Sequence, residues 1–391
     1  MRSPKIRFRD NEIDWNNYQL KELANRFDNL RIPVKESDRE IGTTPYYGAN
    51  GIQGYIKGCT HDGEFLLIAE DGANDLVNYP VQYVNGKIWV NNHAHVIQAI
   101  EGKANNLFLK YAISVADVKS LLVGGGRSKL NADVLMKLEL KIPSIIEQKQ
   151  ISSFCENIDS LIIHNRNKLL SLKQIKSACL QSMFPQEGES VPKIRFKGFD
   201  KKWERCNLSD IAIFRKGKGY SKSDIESHGT PIILYGSLYT NYNLKISEIN
   251  SFVHEKVGSY KSEGNEIIVP ASGETAEDIA RASVVAQKGV ILGGDLNIIS
   301  IDKNSFSPEF VALSITYGQP HKYLTKVAQG KSVVHLHNSD ISKICLLCPS
   351  LEEQQKIAAY FENLDKQISL QTQRLEKLKQ IKSACLDKMF V

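Results

Sequence analysis

Two cysteines near the end of the chain have the spacing of metal ligands. Cys345 and Cys348 form a CxxC inside the apolar run KICLLCPS, shortly after His335 and His337. A structural zinc site needs four ligands, and these two histidines are the nearby candidates for the other two. Two thiols in an apolar strand explain the same residues without a metal, and we favour that interpretation.

Two further places could support chemistry. His93 and His95 alternate along a predicted strand and could bind a metal from one face, although a hydrogen-bonded pair at a domain surface is the simpler interpretation. In SGETAEDIA, Ser272 could act as a nucleophile near acidic residues. That chemistry requires a base at a recognisable spacing, which the sequence lacks. We therefore expect a Ser-Gly turn that caps a short helix.

Glycine-rich runs are the remaining candidates for a catalytic motif. VGGGRSK at 123–129 and RKGKGYSK at 215–222 resemble phosphate-binding loops in composition, but neither has Lys-Ser/Thr after a Gly-x4-Gly spacing. The sequence also has no Asn/Asp-Pro-Pro-aromatic stretch of the amino-methyltransferase type and no evident nuclease cluster. These features predict a protein that binds rather than catalyses.

Composition sets broad limits on the class of protein. A length of 391 residues favours two or more domains, and a net charge of +6 leans mildly toward polyanionic partners. Seven cysteines, an odd number set among apolar neighbours, favour reduced thiols. We find neither a membrane-length apolar run nor a secretory signal. We expect a cytoplasmic protein without membrane association.

An internal repeat organises the whole chain. LKQIKSACL occurs at 172–180 and again at 378–386, and the segment PKIRF begins at both Pro4 and Pro192. Between these near-identical boundaries the two halves diverge. Such a repeat indicates two copies of one architectural plan.

The near-identical segments before each repeat predict long helices. A Pro-Ser pair precedes Glu147 and, in the copy, Glu353 at the spacing of a capping box, and no Gly or Pro follows until Pro185 or the chain end. Each helix should span roughly 35 to 40 residues, or about 50–60 Å. Apolar residues recur at alternating three- and four-residue steps, which predicts a coiled-coil seam. The seam comprises Ile158, Ile162, Leu169, Leu172, Cys179 and Met183 in the first helix, and Leu364, Ile368, Leu375, Leu378, Cys385 and Met389 in the second.

The diverged regions contain short β-rich runs such as EFLLIAE and NEIIVPA between Gly and Asn turns. The predicted fold class is α+β, with two globular α/β domains that alternate with two long helices in a pseudo-two-fold arrangement. The predicted segments are a first domain at 1–142, a helix at 143–184, a linker at 185–191, a second domain at 192–348 and a second helix at 349–391.

This organisation resembles the specificity subunit of type I restriction-modification systems. The resemblance covers essentially the whole chain and is carried by PSIIEQKQI at 143–151, PSLEEQQKI at 349–357, the two PKIRF entries, and the GRSKLNADV and GKSVVHLHNSD approaches to the helices. It implies that each globular domain is a target recognition domain that reads one half of a bipartite double-stranded DNA sequence.

The resemblance also implies the partners. The two helices would pair antiparallel as a coiled coil, hold the domains apart and dock two copies of a modification (methyltransferase) subunit, with restriction subunits added for cleavage. S-adenosylmethionine, ATP and Mg would then be bound by the partner chains and none by this one.

We select loop residues with forked or aromatic side chains, and basic residues that flank the variable regions, as DNA-binding candidates. They are Tyr46, Tyr47, Asn50, Arg127 and Lys129 in the first domain, and Arg215, Lys216, Lys218, Tyr235, Tyr239, Lys331 and His335 in the second. Two other classes of protein remain open: a self-contained methyltransferase or restriction enzyme, and a coiled-coil scaffold unrelated to DNA.

Overall fold

The computed structural model describes residues 4–9, 11, 13–124, 128–240, 242–330 and 333–390, without the side chains of residues 239 and 240. The chain forms two compact units. Unit 1 comprises residues 1–167 and 373–391, and unit 2 comprises residues 168–372. Each long helix therefore contributes to both units. The five segments predicted from the sequence treat each long helix as a separate segment, so they do not describe this division within the helices.

Unit 1 is built around one mixed sheet. Its strands are β1 (Asn16–Gln19), β2 (Ala24–Arg26), β3 (Thr44–Gly48), β4 (Gly51–Ile56), β5 (His61–Ala69), β6 (Val81–Val90), β7 (Ala94–Ala99) and β8 (Glu139–Ile142). Six of them form a sheet in the order β2-β7-β5-β6-β3-β4, in which only β3 and β6 pair in parallel, and β1 pairs with β8. The predicted strand EFLLIAE is β5, and its buried run from Phe65 to Ala69 lies in the middle of this sheet.

The helices of unit 1 begin with α1 (Leu20–Leu23), α2 (Asn106–Val115) and α3 (Ala132–Leu135), and the long helix α4 (Ile145–Ser182) starts here. Helix α2 begins because the Asn105 side chain accepts a hydrogen bond from the Phe108 N–H. Its apolar face packs on the sheet, where Leu66, Ile68 and Phe108 are fully buried.

Unit 2 repeats part of this plan with shorter strands. They are β9 (Glu204–Asn207), β10 (Ala212–Lys216), β11 (Thr230–Ile233), β12 (Lys245–Ile246), β13 (Phe252–Val253), β14 (Ile267–Pro270), β15 (Ser272–Gly273), β16 (Ser283–Val285), β17 (Ile291–Leu292), β18 (Leu296–Ile301), β19 (Val334–His335) and β20 (Cys345–Cys348). The main sheet has the order β10-β18-β14-β16-β12. Its edge β10-β18-β14 corresponds to β2-β7-β5 of unit 1, and the pair β20-β9 corresponds to β8-β1.

The helices of unit 2 are α5 (Leu208–Ile211), α6 (Ser237–Thr240), α7 (Ala276–Ile279), α8 (Pro308–Tyr317), α9 (Gln319–Val327), α10 (Asn338–Ile341) and the start of α11 (Leu351–Met389). Helix α8 corresponds to α2 and begins in the same way, since the Ser307 hydroxyl accepts from the Phe310 N–H. The predicted cap of α7 is wrong in one detail: Thr275, not Ser272, accepts the hydrogen bond from the Asp278 N–H.

The predicted long helices are confirmed, with 38 residues in α4 and 39 in α11. Ser144 caps α4, because its hydroxyl accepts a hydrogen bond from the Glu147 N–H, at 3.3 Å. The expected capping box is incomplete. The Glu147 carboxylate does not return to the helix start but binds the Arg7 guanidinium through two hydrogen bonds of 2.9 and 2.7 Å. Glu353 and Arg195 repeat this contact in unit 2.

The far end of a long helix completes the core of each unit. In unit 1, Trp15 packs edge-on against Phe108 and against Phe390, just after α11. In unit 2, the same places are taken by Trp203, Phe310 and Phe184, which follows α4. The PKIRF segments join the same helix ends, since the Ile6 N–H donates to the Lys388 carbonyl and the equivalent Ile194 N–H donates to the Ser182 carbonyl.

The proposed seam positions are all buried or half-buried along both long helices. Within unit 2, Lys176 binds Asp365, and Cys179 lies 3.3 Å from the Tyr360 hydroxyl. A step forward along α4 therefore corresponds to a step backward along α11, so the two segments run antiparallel in that unit. Across the described part of the chain, neither α4, α11 nor any shorter helix combines the length and apolar character of a membrane span.

Candidate functional site

The segment that leads into each long helix is fixed to the end of the sheet by the same backbone contacts in both units. In unit 1, the Leu130 N–H donates to the Glu70 carbonyl at 2.7 Å. In unit 2, the Leu336 N–H donates to the Ala271 carbonyl at 3.0 Å. We call this arrangement the docking frame. It begins where β5 ends in unit 1 and where β14 ends in unit 2.

A buried polar side chain completes each docking frame. The His95 Nε2 atom lies 2.8 Å from the Leu130 carbonyl oxygen and donates to it. At the equivalent place in unit 2, the Asn297 side-chain amide donates to the Leu336 carbonyl at 2.9 Å. Both side chains are about 1% exposed. A buried carbonyl without a partner is costly, so these two residues hold the segment in place.

In unit 1, three partly exposed side chains lie on the docking frame. Asp71 and Lys129 face each other across an isolated antiparallel bridge. His93 Nδ1 lies 2.5 Å from a carboxylate oxygen of Asp71, and the Lys129 ammonium binds Glu70 at 2.9 Å. The frame therefore presents an acid, an imidazole and an ammonium group side by side.

A network of largely buried charged side chains lies beneath these three residues. Arg31 binds the Glu70 carboxylate at 2.7 Å, and His95 Nδ1 lies 2.9 Å from Asp28. Burial raises the pKa of Glu70, but hydrogen bonds from Arg31 and Lys129 outweigh it, so the pKa lies below its usual value. The carboxylate is therefore ionised at neutral pH and fixes its cationic partners.

Unit 2 places different groups at the same three positions. Strands β15 and β19 pair Ser272 with His335, as the bridge pairs Asp71 with Lys129 in unit 1. His335 Nδ1 lies 3.1 Å from the Ser272 hydroxyl. Asp295, the equivalent of His93, is exposed and has a left-handed backbone with φ of +58°. The frame is retained while the groups that it presents change.

Basic residues flank the docking frame of unit 2. Lys216 pairs with Asn297 where β10 meets β18, and the Arg215 carbonyl accepts a hydrogen bond from the Asn338 side chain at 2.9 Å. The side chains of Arg215, Lys216 and Lys218 are exposed. The sequence-based candidates Lys216, Lys218 and His335 therefore lie beside one frame, and Lys129 lies on the other. The Arg215 side chain lies on the opposite face of the sheet, where it donates to the Ser300 hydroxyl at 3.3 Å.

The remaining candidates of unit 1 are Tyr46, Tyr47 and Asn50, of which Asn50 lies beside the docking frame, bound to the residue that follows Asp71. Tyr46 is 1% exposed, and its hydroxyl is hydrogen-bonded to the backbone of Val34. It is therefore not available to a base edge, and its burial contradicts the prediction that it contacts DNA. Tyr47 is half-buried, and burial raises its pKa. Asn50 is exposed, and its amide donates to the Gly72 carbonyl.

In unit 2, Tyr235 lines a cavity of about 830 Å³ together with Tyr220, Lys222 and Glu274. Arg127 and Lys331 lie outside the described residues, and so does the side chain of Tyr239. These three remain predictions from the sequence.

The residues considered as possible metal ligands lie in different surroundings. Within the described ranges, no group of three or more His, Cys, Asp or Glu residues is arranged to hold a metal ion. Cys345 and Cys348 lie on β20, where burial raises the pKa of Cys348 to about 12. His93 and His95 are both hydrogen-bonded as expected, but His95 is a core residue and not a surface one.

Sequence reasoning missed several members of the site, namely Asp28, Arg31, Glu70, Asp71 and Asp295. Their partners are distant in the sequence, so no local motif marks them. The signal that could have found them is the alignment of the two halves. HAHVIQ at 93–98 and DLNIIS at 295–300 both follow a turn, and this alignment makes His95 equivalent to Asn297 and His93 equivalent to Asp295.

Comparisons to known proteins agree with the fold and with its duplication. The family described as "Type I restriction modification DNA specificity domain" matches residues 12–174 and 200–380. A putative type I restriction enzyme specificity subunit of Haemophilus influenzae, S.HindORF215P, is 31% identical over 358 residues, which cover 90% of this chain and 88% of that protein. The chain belongs to the family of type I restriction-modification specificity subunits.

Two further relatives are consistent with this family. The EcoprrI specificity subunit of Escherichia coli is 26% identical over 184 residues, or 46% of this chain and 44% of its own. The crystal structure of the S subunit of a type I restriction-modification system from M. genitalium has the same fold, with a TM-score of 0.70 and 14% identity, and the match covers 100% of this chain and 99% of that one.

Proposed function

We propose that this specificity subunit recognises a bipartite, asymmetric sequence in double-stranded DNA, with one half read by each unit, and that it catalyses no reaction alone. The observation that carries the proposal is the docking frame, which recurs with the same contacts at Leu130 and Leu336 but presents different side chains. Two similar surfaces with different hydrogen-bonding groups suit two different half-sites.

We further propose that α4 and α11 pair as an antiparallel coiled coil that docks two copies of a modification subunit. The supporting contacts are reciprocal. Lys176 binds Asp365 in unit 2, and the residues at equivalent repeat positions, Lys382 and Asp159, bind each other in unit 1. Two equivalent surfaces fit two copies of one partner. The length of the helix pair then sets the number of unread base pairs between the half-sites.

The chemistry belongs to the partner chains in this proposal. The modification subunits bind S-adenosylmethionine, and restriction subunits with ATP and Mg add cleavage. We place the assembly in the cytoplasm, in agreement with seven cysteines that all are free thiols.

Exchange of a recognition domain tests the proposal. Residues 17–140 are replaced by the equivalent region of the Haemophilus influenzae relative, and the modification subunit is co-expressed. Methylation-sensitive sequencing should show one half of the methylated sequence changed and the other half retained.

The matched control is the exchange of residues 205–345, which should change the opposite half. A change in both halves after a single exchange, or in neither, contradicts modular reading. A scaffold unrelated to DNA predicts no change of sequence in either experiment.

A further inference from the structure

We propose that the bases of each half-site are read from three matched positions on the docking frame, a set that we call the reading triplet. This inference rests on the proposed function and assigns its specificity-determining residues. The triplets are Asp71, His93 and Lys129 in unit 1, and Ser272, Asp295 and His335 in unit 2.

The positions correspond through backbone contacts and not merely through sequence order. The Glu70 N–H donates to the His93 carbonyl at 2.9 Å. In unit 2, the Ala271 N–H donates to the Asp295 carbonyl at 2.8 Å. Each triplet thus has its first member just after the central strand β5 or β14, and its second member just before β7 or β18.

The third member of each triplet lies in the segment fixed by the frame. Lys129 and His335 each precede the leucine whose N–H and carbonyl are both bound, Leu130 or Leu336. Because the leucine is fixed at both polar backbone atoms, the neighbouring side chain has a defined place beside the other two. Rigid support of this kind is what a reading group needs in order to discriminate between bases.

The triplet of unit 1 is accessible and rich in hydrogen-bonding groups. The side chains of His93 and Lys129 are 37% and 49% exposed, and Asp71 is 22% exposed. An ammonium group suits the acceptors of guanine, whereas a carboxylate accepts from the cytosine amine. Asp71 also binds His93, so the orientation of the imidazole is set before DNA is bound.

The triplet of unit 2 offers a different pattern from the same places. His335 and Asp295 are exposed, whereas Ser272 is 7% exposed and contacts His335 Nδ1. Ser272 therefore acts as a positioning residue for the imidazole, as Asp71 does for His93. Replacement of an ammonium by an imidazole, and of an imidazole by a carboxylate, changes the donors and acceptors presented. The two units should accordingly read different bases.

The charges around the frame of unit 2 fit this assignment. The exposed side chains of Lys216 and Lys218 lie on or next to β10, at the end that meets Asn297 and Leu296. Phosphate contacts orient a protein on the duplex, and base contacts next to them supply specificity. Basic residues beside the triplet therefore supply the positioning contacts that base reading requires.

Transplantation of a triplet tests the inference. The substitutions Asp71→Ser, His93→Asp and Lys129→His give unit 1 the groups of unit 2. The variant is co-expressed with the modification subunit, and the methylated sequence is determined by methylation-sensitive sequencing. We expect a change at one or two positions of the first half-site, with the second half-site unchanged. Lys87→Ala, an exposed change at the other end of the β5–β6 pair, should leave both halves unchanged.

A second variant covers the case in which the triple change prevents assembly. His335→Gln alters one exposed side chain, and the purified complex is titrated with duplexes that vary each position of the second half-site. Discrimination at one position should fall on the order of 10- to 100-fold, with little change elsewhere. Retention of the parental sequence and of full discrimination in these variants overturns the inference.

The experiment separates this inference from the proposed function. If domain exchange changes a half-site while the triplet variants do not, the units read DNA through other residues and only the triplet assignment fails. If domain exchange itself leaves the methylated sequence unchanged, the proposed function fails and the triplet fails with it.

Discussion

The Lys176 ammonium group lies 2.5 Å from the carboxylate of Asp365, and both side chains are largely shielded from solvent. These two residues stand on the two copies of the repeated helix. The equivalent residues are Lys382 and Asp159, which form the corresponding ion pair in unit 1. One lysine and one aspartate per repeat therefore supply both of these ion pairs between the helices, the reciprocal pattern of an isologous interface.

Reversal of the charge at Lys176 should destabilise the chain. In the Lys176→Glu variant, two carboxylates face each other in a partly buried place. We expect a loss of ~1–3 kcal/mol, less than the 3–5 kcal/mol typical when a fully buried pair is broken. The loss should be seen as a lower midpoint of thermal unfolding.

The neighbouring lysine provides a matched control for that change. Lys173 is exposed on the same helix, so Lys173→Glu should shift the midpoint little. The double variant Lys176→Asp with Asp365→Lys should recover most of the lost stability. Equal effects of the changes at positions 173 and 176 would show that the ion pair does not stabilise the helix pairing.

Asp159 should make unit 1 sensitive to acid. Burial raises its pKa, but hydrogen bonds from Lys382 and Tyr111 lower it by more, so the folded-state pKa lies below the usual value. The stabilisation from the ionised carboxylate is therefore present above the unfolded-state pKa of about 4 and is lost as the pH falls through the lower, folded-state value.

Unfolding midpoints of the wild type and of Asp159→Asn, measured from pH 7 down to pH 3, test this linkage. The variant should be less stable at pH 7, and the difference should shrink as the pH falls. A difference that is independent of pH contradicts the assignment. Asp62, an exposed acid in unit 1, offers the control Asp62→Asn, which should leave the midpoint nearly unchanged over the same pH range.

The sequence predicted the duplicated plan and the long helices because periodicity and repetition are properties of the chain itself. It did not predict the charge network beneath the docking frame, since Asp28, Glu70 and His95 meet only when β5 and β7 pair. The error at Tyr46 has a similar origin. Adjacent residues of a strand face opposite sides, and TPYYG does not reveal which tyrosine faces the core.

Arg7 should be required for the junction between the PKIRF segment and α4. Its two hydrogen bonds satisfy Glu147, whose side chain is 1% exposed. In the Arg7→Ala variant this carboxylate remains buried without its cation, at a cost of about 3–5 kcal/mol. Arg7→Lys should be intermediate, because an ammonium group keeps the charge but not the bidentate geometry.

The exposed residue Arg9 serves as the control for Arg7, and Arg9→Ala should leave the unfolding midpoint nearly unchanged. Arg195→Ala should reproduce the effect of Arg7→Ala, since Arg195 makes the same contact with Glu353. A large effect at only one of the two arginines would contradict the equivalence of the two junctions.

Asn297 should control the local stability of the docking frame in unit 2. Its amide is the side-chain donor to the Leu336 carbonyl, so Asn297→Ala leaves a buried acceptor without that partner, at a cost of about 1–3 kcal/mol. The backbone hydrogen bond from Leu336 to Ala271 then opens more often. Hydrogen exchange of the segment from residue 333 to 337 should accelerate by roughly 5- to 150-fold if exchange follows this local opening.

Lys303→Ala, an exposed change just beyond β18, should leave the exchange unaltered. Because the frame positions His335, the Asn297→Ala variant should also lose discrimination at the second half-site while the first is retained; equal loss at both halves would place the role of Asn297 in overall folding.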